Sequence, residues 1–325
     1  MNRTLILLLA VVALGAVAYL VTRAADAPPA DAAERAFGYP DTDRIARIYL
    51  ADRDGQEVDL RRGGPTGWTY NGLPANANAM KNLLQAVGHM EVQRLPARAA
   101  VPNLVKNLAG GGILVRLYDG AGNKLRGYYV GGGTNGETGT AAIVEGSENP
   151  YVVHLPMWTG NLRHRFNLQG DEWRSKVLFN VDPERVTALT IEYPKQQAQG
   201  FRLERGTDGA YLLYPHARGS APPRPVGRGI AEAVLSRYEN YYVSRWENRD
   251  TESIAAARDR LPFAVITVEE EGRTPQTVKV YPRFRFPDTA EQQLEAYTAL
   301  VNDDADWALL AVETTQPLLV GYASF

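Results

Sequence analysis

Apolar and polar positions along the chain fall into three patterns. Residues 5–21 form an apolar run without a charge, bounded upstream by Arg3 and downstream by Asp26, Pro28, Pro29 and Asp31. As a helix this run would extend about 25 Å, just enough to cross the hydrocarbon of a bilayer. Two stretches carry helical spacing i, i+3, i+4, i+7: Met80, Leu83, Leu84, Val87, and Ala231, Val234, Leu235, Tyr238. Elsewhere short segments rich in Val, Ile, Tyr and Leu alternate with Gly, Asn and Asp. They span 113–118, 125–130, 141–145 and 151–155, then 264–268, 277–281, 298–302 and 307–311. That pattern predicts antiparallel strands joined by hairpins.

The second set of elements repeats the first in order. Asp41-x-x-Arg44-Ile45-x-x-Ile48-x-Leu50 recurs as Asp182-x-x-Arg185-Val186-x-x-Leu189-x-Ile191, and Leu60-x-Arg62-Gly63 as Leu203-x-Arg205-Gly206. Each is followed by a Gly and an aromatic, Gly67-Trp68 and Gly209-Ala210-Tyr211, then by the helical stretch, and then by Val92-Gln93-Arg94-Leu95 or Val243-Ser244-Arg245-Trp246. Each copy therefore predicts two strands, a helix, a strand, a short second helix (101–108; 254–260) and a meander of about four strands. The fold class expected is α+β: an N-terminal transmembrane helix followed by two tandem modules, each with a mainly antiparallel sheet and one or two helices. The expected boundaries are a signal anchor at 1–24, a flexible Ala/Pro/Asp spacer at 25–36, module one at 37–175 and module two at 176–325.

Arg3 before the apolar run and an acidic stretch after it place the amino end in the cytoplasm and the body outside, as a single-pass protein of a bacterial inner membrane. A cleaved secretory signal is the alternative for the same run, with Ala24 as a small cleavage-site residue; its length favours an uncleaved anchor. Both readings export the body to the periplasm or its extracytoplasmic equivalent.

Composition narrows the chemistry. The 325 residues include no Cys, so thiolate catalysis, Fe–S clusters and cysteine zinc sites are excluded. Lys+Arg 35 against Asp+Glu 37 leaves no basic excess for nucleic acid. Gly131 to Thr138 has the spacing of a phosphate-binding loop, but Glu137 stands where a Lys must meet the phosphates, so no nucleotide is expected. Asn302-x-Asp304-x-Asp306 with Glu313 is spaced like a calcium loop, but Trp307 occupies the position of the turn glycine, so an acidic hairpin turn is the better account. His89, His154, His164 and His216 lack metal-ligand spacing, and Glu269-Glu270-Glu271 reads as a solvated hairpin tip. No cofactor, metal or catalytic residue is expected, and the chain reads as a non-enzyme.

One aromatic cluster stands above background. Tyr238, Tyr241, Tyr242 and Trp246, interleaved with Arg237 and Arg245, offer a candidate interaction surface, because such side chains bury area while keeping a polar tip. The competing account places Tyr238 in the core, with Tyr242 and Trp246 alternating on a half-exposed strand.

The segment Asn149-Pro150-Tyr151-Val152-Val153-His154-Leu155-Pro156, with Glu145-Gly146-Ser147-Glu148 before it and Asp171-Glu172-Trp173-Arg174 after it, resembles the bacterial family catalogued as domain of unknown function 4340. Tyr193-Pro194-Lys195 and the repeated Asp-x-x-Arg openings fit the same pattern. The resemblance implies a membrane-anchored extracytoplasmic accessory, with a protein partner among the subunits of a gliding-type ABC transporter, and it transfers no catalytic residues. The alternative function is a cell-wall or glycan-binding protein or hydrolase using a groove between the modules.

Overall fold

The computed structural model describes residues 32–217, 222–285 and 292–325. The apolar run 5–21 lies outside them; among the described residues no helix is long and apolar enough to cross a membrane. The chain divides into two compact units, Met1–Ser175 and Lys176–Phe325, each a mixed α+β structure dominated by an antiparallel sheet.

In the first unit, β1 (Arg47–Ala51), β2 (Glu57–Arg62), β3 (Trp68–Tyr70) and β4 (Leu73–Pro74) precede α1 (Ala77–His89). Then come β5 (Glu91–Arg94), α2 (Val101–Gly111) and the meander β6 (Ile113–Tyr118), β7 (Lys124–Gly133), β8 (Thr140–Val144) and β9 (Pro150–His154). They form one nine-stranded sheet in the order β4-β3-β2-β1-β6-β7-β8-β9-β5. Its inner face carries Ile48, Leu50, Leu60, Val115, Leu117, Tyr128 and Val130, covered by Met80, Leu83 and Val87 of α1. The Asn76 side chain caps α1 by accepting the backbone N–H groups of Asn78 and Ala79.

The second unit begins with β10 (Val177–Phe179), followed by β11 (Val186–Glu192), β12 (Phe201–Arg205), β13 (Tyr211–Pro215), β14 (Arg224–Val226) and α3 (Arg228–Leu235). After them come β15 (Tyr241–Tyr242), β16 (Arg245–Trp246), α4 (Thr251–Arg258), β17 (Ala264–Glu270), β18 (Gln276–Arg285), β19 (Gln293–Val301), β20 (Asp306–Leu310) and α5 (Val312–Thr315). The main sheet runs β14-β13-β12-β11-β17-β18-β19-β20-β16, and β10 pairs separately with β15. Strand for strand, this is the order of the first sheet. Ala231, Val234 and Leu235 of α3 pack on its inner face with Leu189, Ile191, Leu203 and Ile266.

The paired sequence motifs fasten each strand opening. Arg62 Nε donates to the Ile45 carbonyl at 2.9 Å and its Nη2 to the Thr42 carbonyl at 2.7 Å. In the second unit Arg205 donates to the Glu184 carbonyl. The recurring Asp-x-x-Arg and Leu-x-Arg-Gly segments thus meet each other within each unit.

Where the elements depart from the sequence expectation, the causes are local. Four strands, not two, precede the first helix, because β3 and β4 have three and two residues and are too short to display a period-two pattern. Asn71 and Gly72 join them with φ of 50° and 81°, the positive-φ pair that a type I′ hairpin requires. The second helix of the second unit starts at Thr251, upstream of 254, because the Asp250 carboxylate accepts the Ser253 N–H and caps it.

Candidate functional site

The aromatic cluster of the second unit does not form one surface. Tyr238 is 1% exposed, Tyr241 5% and Trp246 9%, so three of the four aromatics belong to the core. Tyr238 OH donates to the Leu318 carbonyl at 2.8 Å, and Tyr241 OH lies 2.8 Å from Thr315 Oγ1. Both rings meet Phe179, at 5.2 Å and 6.2 Å between centroids. Burial pushes the Tyr238 hydroxyl well above the usual tyrosine range and raises that of Tyr241 as well. Arg237 donates to the Pro317 carbonyl, and Arg245 pairs with Glu247 at 2.5 Å. Tyr238, Tyr241 and Arg237 thus tie residues 315–318 to the second unit's core, and Tyr242 alone among the four aromatics is exposed, at 53%. The physical reason is strand alternation: Tyr241 and Tyr242 occupy a two-residue strand, so one faces the core and its neighbour faces away.

The other sequence candidates resolve into turns and ion pairs. Gly131 to Gly133 still belong to β7, and residues 134–139 turn the chain into β8, so no helix N-terminus follows the glycines. Asn302, Asp303 and Asp304 form a left-handed turn (φ 53°, 56° and 65°). Asp304 takes the Lys279 ammonium at 2.6 Å, and Asp306 accepts from Asn302 and Asn248. Glu269 pairs with Arg202 at 2.5 Å, and Glu270 accepts the Asp182 N–H and the Arg273 guanidinium. The histidines sit on separate elements: His89 ends α1, His154 pairs with Glu91, His164 meets the Asn161 carbonyl and His216 lies near Glu192. Among the described residues no group of three or more His, Asp or Glu is placed to hold a metal ion.

A concave site is found where the sequence drew no attention, on the outer face of the first unit's sheet. A groove of about 430 Å³ lies along α2, lined by Val105, Leu108 and Ala109 of the helix and by Ala51, Leu114, Tyr129 and Ile143 of the sheet. The four sheet residues form one cross-strand row: Ala51 pairs with Leu114, Leu114 with Tyr129, and Tyr129 with Ile143. Asp52 and Arg53 border one end, Gly146 and Ser147 the other. The helix is held close by Leu108, 4% exposed, which lies over Gly131; a Cβ there would come within 2.8 Å of Leu108 Cδ2 and 3.2 Å of the Ala141 carbonyl. Val105, one turn earlier, is left 37% exposed over the groove.

The next row of the same face is charged. Arg116 donates to both oxygens of Glu145, which also takes Lys124 at 3.1 Å, and these hydrogen bonds, Arg116's first, hold the Glu145 carboxyl below the usual glutamate range. Gly127 leaves room for that carboxylate, because a Cβ there would lie 2.2 Å from Glu145 Oε2.

The equivalent face of the second unit is closed. Its matching row is Glu192, Val265, Lys279 and Leu300, so two charged residues stand where the first unit has Ala51 and Tyr129. Register also sets Tyr281 opposite the role of Gly131 and Trp307 opposite that of Pro150. Tyr281 and Trp307, 5.9 Å between centroids, pack with Leu300 and with Ala257 and Ile254 of α4 as a separate small core. One fold thus carries a filled outer face in one copy and an apolar groove in the other. Sequence reasoning missed the groove because its floor draws one residue from each of four strands. Comparison of the chain with known protein families, curated proteins and solved structures finds no match.

Proposed function

We propose that the chain is a non-catalytic binding protein, tethered to a bacterial inner membrane by residues 5–21, whose modules stand outside it as an accessory to an ABC transporter. The observation that carries the binding reading is the groove along α2, present in one copy of a repeated fold and filled by Tyr281 and Trp307 in the other. A concave, largely apolar site bordered by a few polar groups is the common form of a ligand pocket. The prominent charged residues support the same reading, because they are spent on structure: Arg62 on backbone carbonyls, Arg116 on Glu145 and Arg202 on Glu269. The tether rests on the uncharged run and its flanking charges, and the transporter link on the family resemblance of segment 145–156.

The test has two parts. Protease added to intact spheroplasts should digest the body while the protein stays with the membrane through alkaline carbonate washing; full protection of the body would overturn the placement. Gentle purification of the full chain with its surrounding bilayer should recover ABC-transporter subunits. Their absence, with the groove still occupied by a ligand, would remove the accessory role and leave the binding role.

A further inference from the structure

We infer that the groove of the first unit takes a single-chain anionic amphiphile, its hydrocarbon lying across the row Ala51, Leu114, Tyr129 and Ile143 and its anionic group beside Arg53. This inference rests on the binding reading above and adds the class of ligand.

Shape is the first argument. The row crosses four strands, three interstrand steps of ~4.8 Å, so the floor is about 14 Å long. A volume of about 430 Å³ sits near the low end of the ~300–1,000 Å³ spanned by small-molecule pockets. Long and small together suit one straight chain and leave no room for the paired chains of a bilayer lipid. The floor and the α2 wall are aliphatic apart from the Tyr129 ring, which also favours alkyl over sugar or nucleotide.

Charge supplies the direction. At the β1 end, Asp52 Oδ1 is already engaged by the backbone N–H groups of Asp54 and Gln56, both at 3.0 Å. Arg53 beside it is exposed and has no hydrogen bond or ion pair among the described residues. At the opposite end the turn carries Glu148, an exposed anion, next to Ser147. Arg53 is thus the groove-lining cation whose guanidinium is left without a partner among the described residues, in a turn that also carries Asp52 and Asp54. Arg116 and Lys124 in the next row are already engaged by Glu145, so an anionic head finds its donor at Arg53. The second unit offers the internal contrast, since Glu192 and Lys279 in the matching row would bury charge against such a chain.

The experiment uses the full chain extracted with its bilayer in polymer-bounded discs, exposed to dodecanoate bearing a photoreactive diazirine, with labelled peptides mapped by mass spectrometry. Labelling should concentrate in residues 101–112 and 143–147 and be competed by unlabelled dodecanoate. The double substitution A51E/Y129K, which installs the charges of the second unit's row at two half-buried positions, should cut groove labelling about tenfold, the effect of ~1.4 kcal/mol. If that variant does not fold, V105E on the exposed side of α2 carries the same expectation. R53A should weaken competition by dodecanoate about threefold, as for an exposed ion pair, and leave competition by dodecanol unchanged. Groove labelling that survives both A51E/Y129K and V105E would overturn the site. Equal competition by dodecanol and dodecanoate, unmoved by R53A, would overturn the anionic head. A photo-crosslinker at Val105 that traps a protein chain, with no lipid labelling, would overturn the amphiphile and preserve the binding reading. Neither kind of capture would remove both.

Discussion

The two units share a strand order and differ in what covers the outer face of the sheet. In the second, Tyr281 and Trp307 rise from β18 and β20 and α4 closes over them, so Leu300 is 1% exposed. In the first, Gly131 and Pro150 hold those positions, and α2 settles onto Gly131 through Leu108. Ile143, the counterpart of Leu300, is left half-buried beside the groove. The difference teaches that a repeated topology constrains the inner face far more than the outer one. Inner positions must fill the space under a packed helix, whereas outer positions are free to be filled, charged or left concave.

The largest test of this contrast is Trp307→Ala, which removes the main filler from the second unit. It should destabilise that unit by about 3–5 kcal/mol, read as a lowered midpoint in urea unfolding. A loss below about 1 kcal/mol would mean that the outer cluster does not hold α4 in place.

Buried phenols sharpen the comparison next. Tyr238→Phe in the second unit deletes the hydroxyl that satisfies the Leu318 carbonyl and should cost about 1–2 kcal/mol. Tyr128→Phe in the first unit should be neutral or slightly stabilising, because the buried Tyr128 hydroxyl has no hydrogen-bond partner among the described residues. If both variants lose equal stability, the two inner cores do not differ in the way described.

Acid titration probes the ion pair beside the groove. Because the Arg116 hydrogen bonds lower the Glu145 pKa from 4.5, the ionised pair stabilises the fold at neutral pH. That contribution is lost as pH falls from 4.5 through the lowered native value. Glu145→Gln should therefore flatten, without abolishing, the fall in unfolding midpoint between about pH 5 and pH 3, since Asp59 and Glu269 are lowered in the same direction by their own arginines. An unchanged slope would place the acid sensitivity elsewhere. Smallest of all, Tyr242→Ala should shift stability by less than about 0.5 kcal/mol, because the ring is exposed.

Much of the inner architecture could be read directly. The stripe Met80, Leu83, Val87 does face the sheet, and the strands of both meanders fall close to the Val- and Ile-rich segments. Such features are legible because a helix or strand buries a face at a fixed period, and that period is written locally. The aromatic cluster was legible only in part: helical spacing already offered Tyr238 as a core residue, but the packing of β15 against β10 and of 312–318 against the core decides that Tyr241 and Trp246 are buried too while Tyr242 stays 53% exposed.

By itself, then, the sequence determined the mixed α+β class, the recurrence of motifs between the two halves and the inward-facing residues, because periodicity and repeated short motifs are local properties. The tertiary structure alone decided that Ala51, Leu114, Tyr129 and Ile143 share one row, and that Gly131 admits a helix where Tyr281 fills the space. Those facts depend on strand register, which sets residues 14 to 63 positions apart beside one another and is invisible to a short window along the chain.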